Sequence, residues 1–452
     1  MSFMASTKIP LPAVLAVQLG VAIVTLDISL TSTALPAIAI GIDASPASTI
    51  WIINVYYLAV VAALLPLAAL GEIYGHRRVF FGGLIAFAIG SLAAGSSNSL
   101  LTLALARAVL GAGTAAVSAT TPALIRTLYP PSRLGRGLGV YALVVGIAFS
   151  VGPTAASAIL SVSNWRWLFL MNVPFALVTL LFARRDLPQT PRNVRPFDGL
   201  SALFCAGMFA GLIFGIAGIA HRASWPPVVL GLILAAACGY GLRRREAEHA
   251  APILAIDLFR IPLFALSSAT SICAFSIQGL IFVVLPFLFQ FKFGYSQVEA
   301  GYLITPWPVT LAVMTLIAAP LGDRIQPGLL GGAGLFLVAI GIVSLAFLSA
   351  SPIPVEIAWR LILCGIGFGF FQTPNMKAIM SSAPADRSGG ASGILAASRL
   401  FGQSVGAAIV AICLSLSPEN GIWAAIWAGA ALGVLGSAVS FLRLLPVVQT
   451  RG

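Results

Sequence analysis

Charge is what this sequence has least of. Asp, Glu, Lys and Arg make up 8% of its 452 residues, against about 25% in an average soluble domain. Acids are the scarcer sign, 13 against 25 Lys and Arg. Hydrophobic residues reach 59%, with a mean hydropathy of +1.01. No soluble fold of this length could hide that much apolar surface. A bilayer removes the problem, because lipid contacts apolar side chains directly.

Cysteine and histidine are also few. Cys205, Cys238, Cys273, Cys364 and Cys413 all lie in apolar runs, and none forms a C-x-x-C pair. That pattern argues against a disulfide framework or metal ligation, and small packing residues are the better reading. His76, His221 and His249 lie in or beside loops, so no metal site is expected. No Walker loop, nucleophile elbow or dinucleotide fingerprint occurs. The chain is therefore expected to be no enzyme and to hold no cofactor.

What the sequence has in abundance is long apolar runs. A membrane helix needs about 20 mostly apolar residues. By that rule there are fourteen candidates, starting near Leu11, Trp51, Val79, Leu100, Leu138, Trp165, Leu200, Pro226, Leu263, Val298, Leu330, Val355, Gly390 and Ile422. The first run follows Lys8 but continues past Asp27 to Ile42, too long for the core of a signal peptide. With the N-terminus inside, nineteen Lys and Arg fall in inside segments, Arg443 among them, and three outside: Arg166, Arg222 and Lys292. That asymmetry sets the expected orientation, with both termini cytoplasmic. It also accounts for the net charge of +12 without nucleic acid.

An internal repeat runs through the chain. Arg107, Gly111 and Gly113 resemble Arg360, Gly365 and Gly367. Arg133, Gly135, Gly139 and Gly152 recur as Arg387, Gly389, Gly393 and Gly406, each 254 residues later. Leu70-Gly71-Glu72 is matched by Leu321-Gly322-Asp323. The two copies point the same way across the membrane, and parallel repeats mark secondary transporters. The seventh and eighth runs have no counterpart. The expected organisation is an N-terminal six-helix half over 1–190, two inserted helices over 191–250, and a C-terminal six-helix half over 251–452.

Asp27 stands out among the few acids, near the middle of the first run. A charged Asp at mid-bilayer costs at least about 2.5 to 3.5 kcal/mol, so it normally faces a cavity or holds a partner. Such a carboxyl can take up and release protons. A structural ion pair is the alternative.

Several segments resemble the major facilitator superfamily, and within it the fourteen-helix drug:proton antiporters of the multidrug and quaternary ammonium type. Leu26-Asp27 through Ala34-Leu35-Pro36 is similar to that branch's first-helix motif. Leu70 to Arg78 is similar to the signature loop, with Glu72 for the usual Asp and Ala68 for the usual leading Gly. Arg107 to Gly113 is similar to the fourth-span motif, with Leu110 where Gln is common. Gly152-Pro153 is similar to the antiporter motif, with Ala156 and Ser157 in place of its Gly pair. Trp165 to Pro174, including Asn172, and Asp257 to Arg260 match further segments. Any one of these is weak; six in order are specific.

The resemblance implies an all-α major facilitator fold of 14 transmembrane helices as 6 + 2 + 6. It implies a proton-coupled antiporter that exports lipophilic, cationic drugs or biocides by alternating access, with the proton as coupling ion. Asp27 and Arg107 are the implied coupling pair; a rigid bridge between helices is the other reading of them. Asp27, Tyr56, Tyr57, Phe149, Gln278, Trp307, Phe371 and Gln372 are the candidate substrate contacts. Glu72, Arg77, Arg78, Asp323, Gly152 and Pro153 are assigned to gating. Glu356 and Arg360, four apart on one helix face, are expected to form a local structural ion pair. The protein is expected in the cell inner membrane as a monomer, acting on a small hydrophobic or cationic substrate. A dedicated exporter of one metabolite or antibiotic is the nearest alternative, and a membrane-bound sensor or enzyme a more distant one.

Overall fold

The structure, a computed structural model, describes residues 10–130, 133–190, 198–220, 225–246, 256–322, 324–384, 388–417 and 420–445. Among them there are helices and turns but no strand. The first is α1 (Leu11–Thr33), followed by α2 (Leu35–Gly41). They part at Ala34, two residues before Pro36. Proline has no amide with which to continue the ladder, so Ala-Leu-Pro ends one helix and opens the next. A single turn, α3 (Pro46–Thr49), is capped by Ser45, whose hydroxyl accepts the Ser48 amide. α4 (Trp51–Tyr74) and α5 (His76–Gly95) are separated only by Gly75 at φ +98°, a conformation glycine adopts at no steric cost. α6 (Leu100–Leu128) opens on a reciprocal Ser99–Thr102 capping box. α7 (Leu134–Val162), α8 (Trp167–Leu170) and α9 (Asn172–Asp186) complete the first half.

Two helices follow, α10 (Gly199–Ala220) and α11 (Trp225–Glu246). The second half begins with α12 (Pro262–Phe287), which runs into a π turn over Leu288–Lys292. It continues with α13 (Gln297–Ile304), α14 (Pro306–Leu321), α15 (Pro327–Leu345), α16 (Pro354–Ser382), α17 (Ser388–Leu416) and α18 (Gly421–Leu442).

Twelve helical segments among the described residues are long and apolar enough to cross a membrane: six between Leu11 and Asp186, and six between Pro262 and Leu442. The protein is thus a multi-pass membrane protein with twelve spans by this measure, not the fourteen expected. The two runs that fall short are helices, of 22 residues each. α10 carries no charged residue over its length, and α11 ends in Arg243, Arg244 and Arg245. Their ends are tied together: the Asp198 carboxylate accepts the Ser201 amide and hydroxyl and the Arg245 Nε, at 2.9 Å from its Oδ2. α10 packs on both α4 and α17, with Phe214 against Trp51 and Phe209 against Phe401.

The repeat is visible in helix bounds. α6 and α16 are both 29 residues and start and stop 254 residues apart, and so are α7 and α17. Gly111 and Gly365 serve one purpose in the two copies. A Cβ on Gly111 would lie 2.6 Å from the Tyr56 carbonyl, and one on Gly365 2.6 Å from the Trp307 carbonyl. Small residues let these membrane helices touch backbone to backbone, and they make Tyr56 and Trp307 structural counterparts.

Burial divides the molecule by depth. On α1 and α2, every residue from Asp27 to Ala39 is buried. Nearer the N-terminus, Leu15, Leu19, Ala22 and Leu26 are accessible at helical spacing. On α12 and into the π turn every residue from Ala274 through Phe289 is buried, whereas Ala265, Leu266, Ala269, Ile272 and Cys273 are partly exposed. The two halves are joined at the sealed end by three contacts from the second part of α7. Ser150 Oγ donates to the Pro308 carbonyl at 2.8 Å, Thr154 and Thr305 hydroxyls lie 2.9 Å apart, and Ser157 Oγ reaches the Gln297 carbonyl at 3.5 Å.

Candidate functional site

Asp27 sits where the sealed part of α1 begins. Both its oxygens are engaged. Arg107 Nη1 on α6 donates to Oδ2 at 2.6 Å, and Asn172 Nδ2 at the start of α9 donates to Oδ1 at 2.9 Å. Asp27 and Arg107 are each 0% exposed. In a low-dielectric interior such charge-assisted bonds are strong, and an unpaired member would be costly. The guanidinium lies 4.1 Å from the Tyr56 ring centre and 5.7 Å from that of Phe169. The Tyr56 hydroxyl donates to Thr114 on α6 at 3.0 Å. Tyr56 is therefore part of the seat beneath Arg107, wholly buried in this state. Arg107 still has two donor nitrogens, Nε and Nη2, without a hydrogen-bond partner.

Gly152 and Pro153 act on the same place. Proline supplies no amide, so the carbonyl four residues earlier, that of Phe149, loses its helix donor. Ser29 Oγ on α1 donates to it at 3.0 Å. A Cβ on Gly152 would overlap Ser29, so glycine is what lets α1 approach. The pair thus docks α1 onto α7 two residues from Asp27.

Phe149 also begins an aromatic belt that crosses between the halves. Its ring is 4.9 Å from Phe282, which is 5.7 Å from Trp307, which is 6.2 Å from Phe368. Phe371 and Phe275 pack on Phe368 at 5.5 and 5.6 Å. Three of the expected substrate contacts, Phe149, Trp307 and Phe371, therefore belong to one assembly. Trp307 is fully buried, and its indole N–H has no partner. Gln278 is elsewhere on α12, accepting from Gln403 Nε2 of α17 at 2.8 Å. Gln372 stands on α16 with its Oε1 buried and unpartnered. Tyr57 is buried against Tyr56, their ring centres 5.7 Å apart.

The loop residues lie apart from this centre. Arg77 donates to the Arg184 carbonyl at 2.7 Å, tying the α4–α5 turn to the end of α9 in the same half. A pocket of about 250 Å³ there is lined by Tyr74, Gly75, Arg77, Arg78, Gln189 and Thr190. Glu72 is at the last turn of α4. Asp323, and the repeat residue Arg387, lie outside the described residues. Glu356 and Arg360 are 3.3 Å apart, and Arg360 also donates to the Ser344 and Glu356 carbonyls.

Sequence reasoning missed three features. Asn172 entered only as part of a motif, although it holds half of the Asp27 carboxylate. Arg443, counted with the cytoplasmic loop charges, is only 2% exposed. It donates to Asn375 Oδ1 at 2.7 Å and Ser267 Oγ at 3.2 Å, and also to Ser440 Oγ. The polar residues Ser267, Asn375 and Ser440 on three neighbouring spans were the available signal. Phe282 and Phe368, central to the belt, carry none, since aromatics in apolar runs are common. No group of His, Cys, Asp or Glu that could hold a metal ion occurs among the described residues.

The family profile described as Major Facilitator Superfamily matches residues 17–407. The chain is 44% identical to the uncharacterized transporter YebQ of Escherichia coli (strain K12), over 96% of this chain and 97% of that one. It is 30% identical to the tetracenomycin C resistance and export protein of Streptomyces glaucescens, over 94% and 80% of the two chains. In fold it is similar to the crystal structure of a POT family transporter in complex with 5-aminolevulinic acid, with a TM-score of 0.75 at 12% identity over 96% of each chain.

Proposed function

The chain belongs to the Major Facilitator Superfamily, and from that premise we propose that it is a proton-coupled antiporter that exports lipophilic drug-sized molecules by alternating access. It is a transporter and not an enzyme. The observation that carries the proposal is the Asp27–Arg107–Asn172 cluster at the floor of the sealed region. Among the acids of the described residues, Asp27 is the one set deep within a span, and it lies where accessibility along α1 ends. In this reading a proton on Asp27 loosens the hold of Arg107 and frees α1 to shift against α6 and α9. The relative named for tetracenomycin C resistance and export supports the outward direction and a drug-like cargo. It also favours a second reading, a dedicated exporter of one metabolite or antibiotic.

Burial on one side only supports a state open toward the N-terminal end. With the charge asymmetry of the loops, that end faces the cytoplasm and the membrane is the cell inner membrane. In the same reading α10 and α11 are two further spans, set between the six-helix halves as 6 + 2 + 6. Glu72, Arg77 and Arg78 then latch the halves only in the opposite, outward-facing state. Cationic cargo of the quaternary ammonium type would reach Asp27 only by displacing Arg107 or Asn172.

The test is accumulation of a panel of cationic and neutral dyes in an efflux-deficient host under an imposed pH gradient. The wild type is expected to lower accumulation in a gradient-dependent way. The neutral pair Asp27→Asn with Arg107→Gln, which leaves no unpaired buried charge, is expected to abolish that dependence. Undiminished gradient-driven export by the double variant removes Asp27 from the mechanism.

A further inference from the structure

Arg399 has no place in the cluster just described. It lies in α17 within the apolar interior of the second half, one turn before Gln403 and so on the same helix face. Unlike Asp27 and Arg107 it is partly accessible. Its Nε is buried without a hydrogen-bond partner, and no carboxylate pairs with it among the described residues. The three other deep arginines are all accounted for. Arg107 holds Asp27, Arg360 holds Glu356 with backbone carbonyls, and Arg443 is ringed by Asn375 and serine oxygens. An uncompensated cation inside a membrane protein is expensive and is by default a functional feature.

The interior holds other donors that a ligand with oxygens could use. The Tyr57 hydroxyl, across the α4–α17 seam, is within electrostatic range of Arg399 as well as of Arg107 and Asp27. The Trp307 indole offers a second buried donor without an acceptor, and Arg107 offers two more. The Phe149–Phe282–Trp307–Phe368 belt supplies aromatic faces. Among the described residues the one carboxylate buried within a span is already neutralised by Arg107, so the charge of Arg399 stays unbalanced.

We propose that Arg399 is a substrate-recognition residue, and that the site takes lipophilic aromatic molecules carrying a carbonyl, phenolate or carboxylate oxygen in preference to organic cations. This rests on the export reading above but can be tested without transport. A guanidinium with free N–H groups and no counter-ion binds an anionic oxygen through charge-assisted hydrogen bonds, and it repels a cation.

The experiment measures equilibrium binding to the purified full-length protein in detergent. The probes are alizarin as its phenolate and ethidium as the cation. Wild type is expected to bind alizarin more tightly. Arg399→Gln is expected to weaken alizarin binding by about tenfold, the loss of one charge-assisted hydrogen bond, and to leave ethidium unchanged or tighter. Arg399→Lys, which keeps the charge without the planar fork, should fall between. Thermal stability of Arg399→Gln should hold or rise, because an unpaired buried charge has been removed. Four results overturn the proposal: a wild-type protein that fails to bind alizarin, one that binds ethidium more tightly than alizarin, an Arg399→Gln protein that keeps alizarin affinity, or equal weakening of both probes with reduced stability. If the binding pattern holds while proteoliposomes move neither probe, it is the export reading that fails.

Discussion

At the scale of single residues, the decisive fact is that Asp27 is saturated. A carboxylate taking one bond from Arg107 and one from Asn172, at 0% exposure, is stable only while both donors remain. Breaking a buried pair on one side leaves an uncompensated charge and costs about 3 to 5 kcal/mol, whereas removing both members is far milder. Arg107→Met should therefore lower thermal stability strongly, and Arg107→Met with Asp27→Asn should recover much of the loss. Unfolding of detergent-solubilised protein followed by tryptophan fluorescence reads both; a double variant as unstable as the single would show that the pair does not hold the helices. The pairing was legible in the sequence because acids are so rare that one deep Asp and one deep Arg had few other partners. Asn172 was not legible, since an amide at a helix entry is equally at home in a cap. Nor was the burial of Arg443, which closes a span where loop arginines are the rule.

At the scale of elements, prolines and glycines do most of the positioning. Pro153 orphans the Phe149 carbonyl, Ser29 repairs it, and Gly152 makes room for Ser29. Leaving that carbonyl without a donor costs about 1 to 3 kcal/mol, so Ser29→Ala should lower the unfolding midpoint measurably. Gly152→Ala should lower it further, because its new methyl group meets Ser29 and forces α1 away from α7. Two variants of equal and negligible effect would show that α1 does not depend on this docking. The 254-residue repeat could be read from scattered Arg and Gly positions, and several of its glycines, Gly111 with Gly365 and Gly152 with Gly406, mark close approaches of helices in both halves. The span count was less legible. Apolar runs near 200–242 look like spans by composition, and both are helices of 22 residues, but arginines crowd one end of α11. Hydropathy alone does not separate a full crossing from a helix that covers the seam between α4 and α17.

For the whole molecule, the question is whether the sealed end opens. The three α7 contacts with α13 and α14 are hydrogen bonds from hydroxyls, two to carbonyls and one to another hydroxyl, with no ion pair among them. Each contributes about 0.5 to 1.5 kcal/mol net, so their sum is of the size a bound ligand or proton can offset. That is what a two-state transporter requires, because a seal of many buried charges could not be reversed by ligands of ordinary affinity. The Thr154 and Thr305 hydroxyls, 2.9 Å apart across the halves, give a direct test. With both replaced by cysteine, oxidation is expected to cross-link them in this state. The cross-linked protein should still bind its cargo from the N-terminal end, where Leu19, Ala22 and Leu26 are accessible, but should lose export. A reductant should restore export to the level of the unoxidised variant. If the cross-linked transporter exports at the rate of the reduced one, the sealed end does not need to part, and rocking of the two halves about the Asp27 cluster is not how this protein moves its cargo.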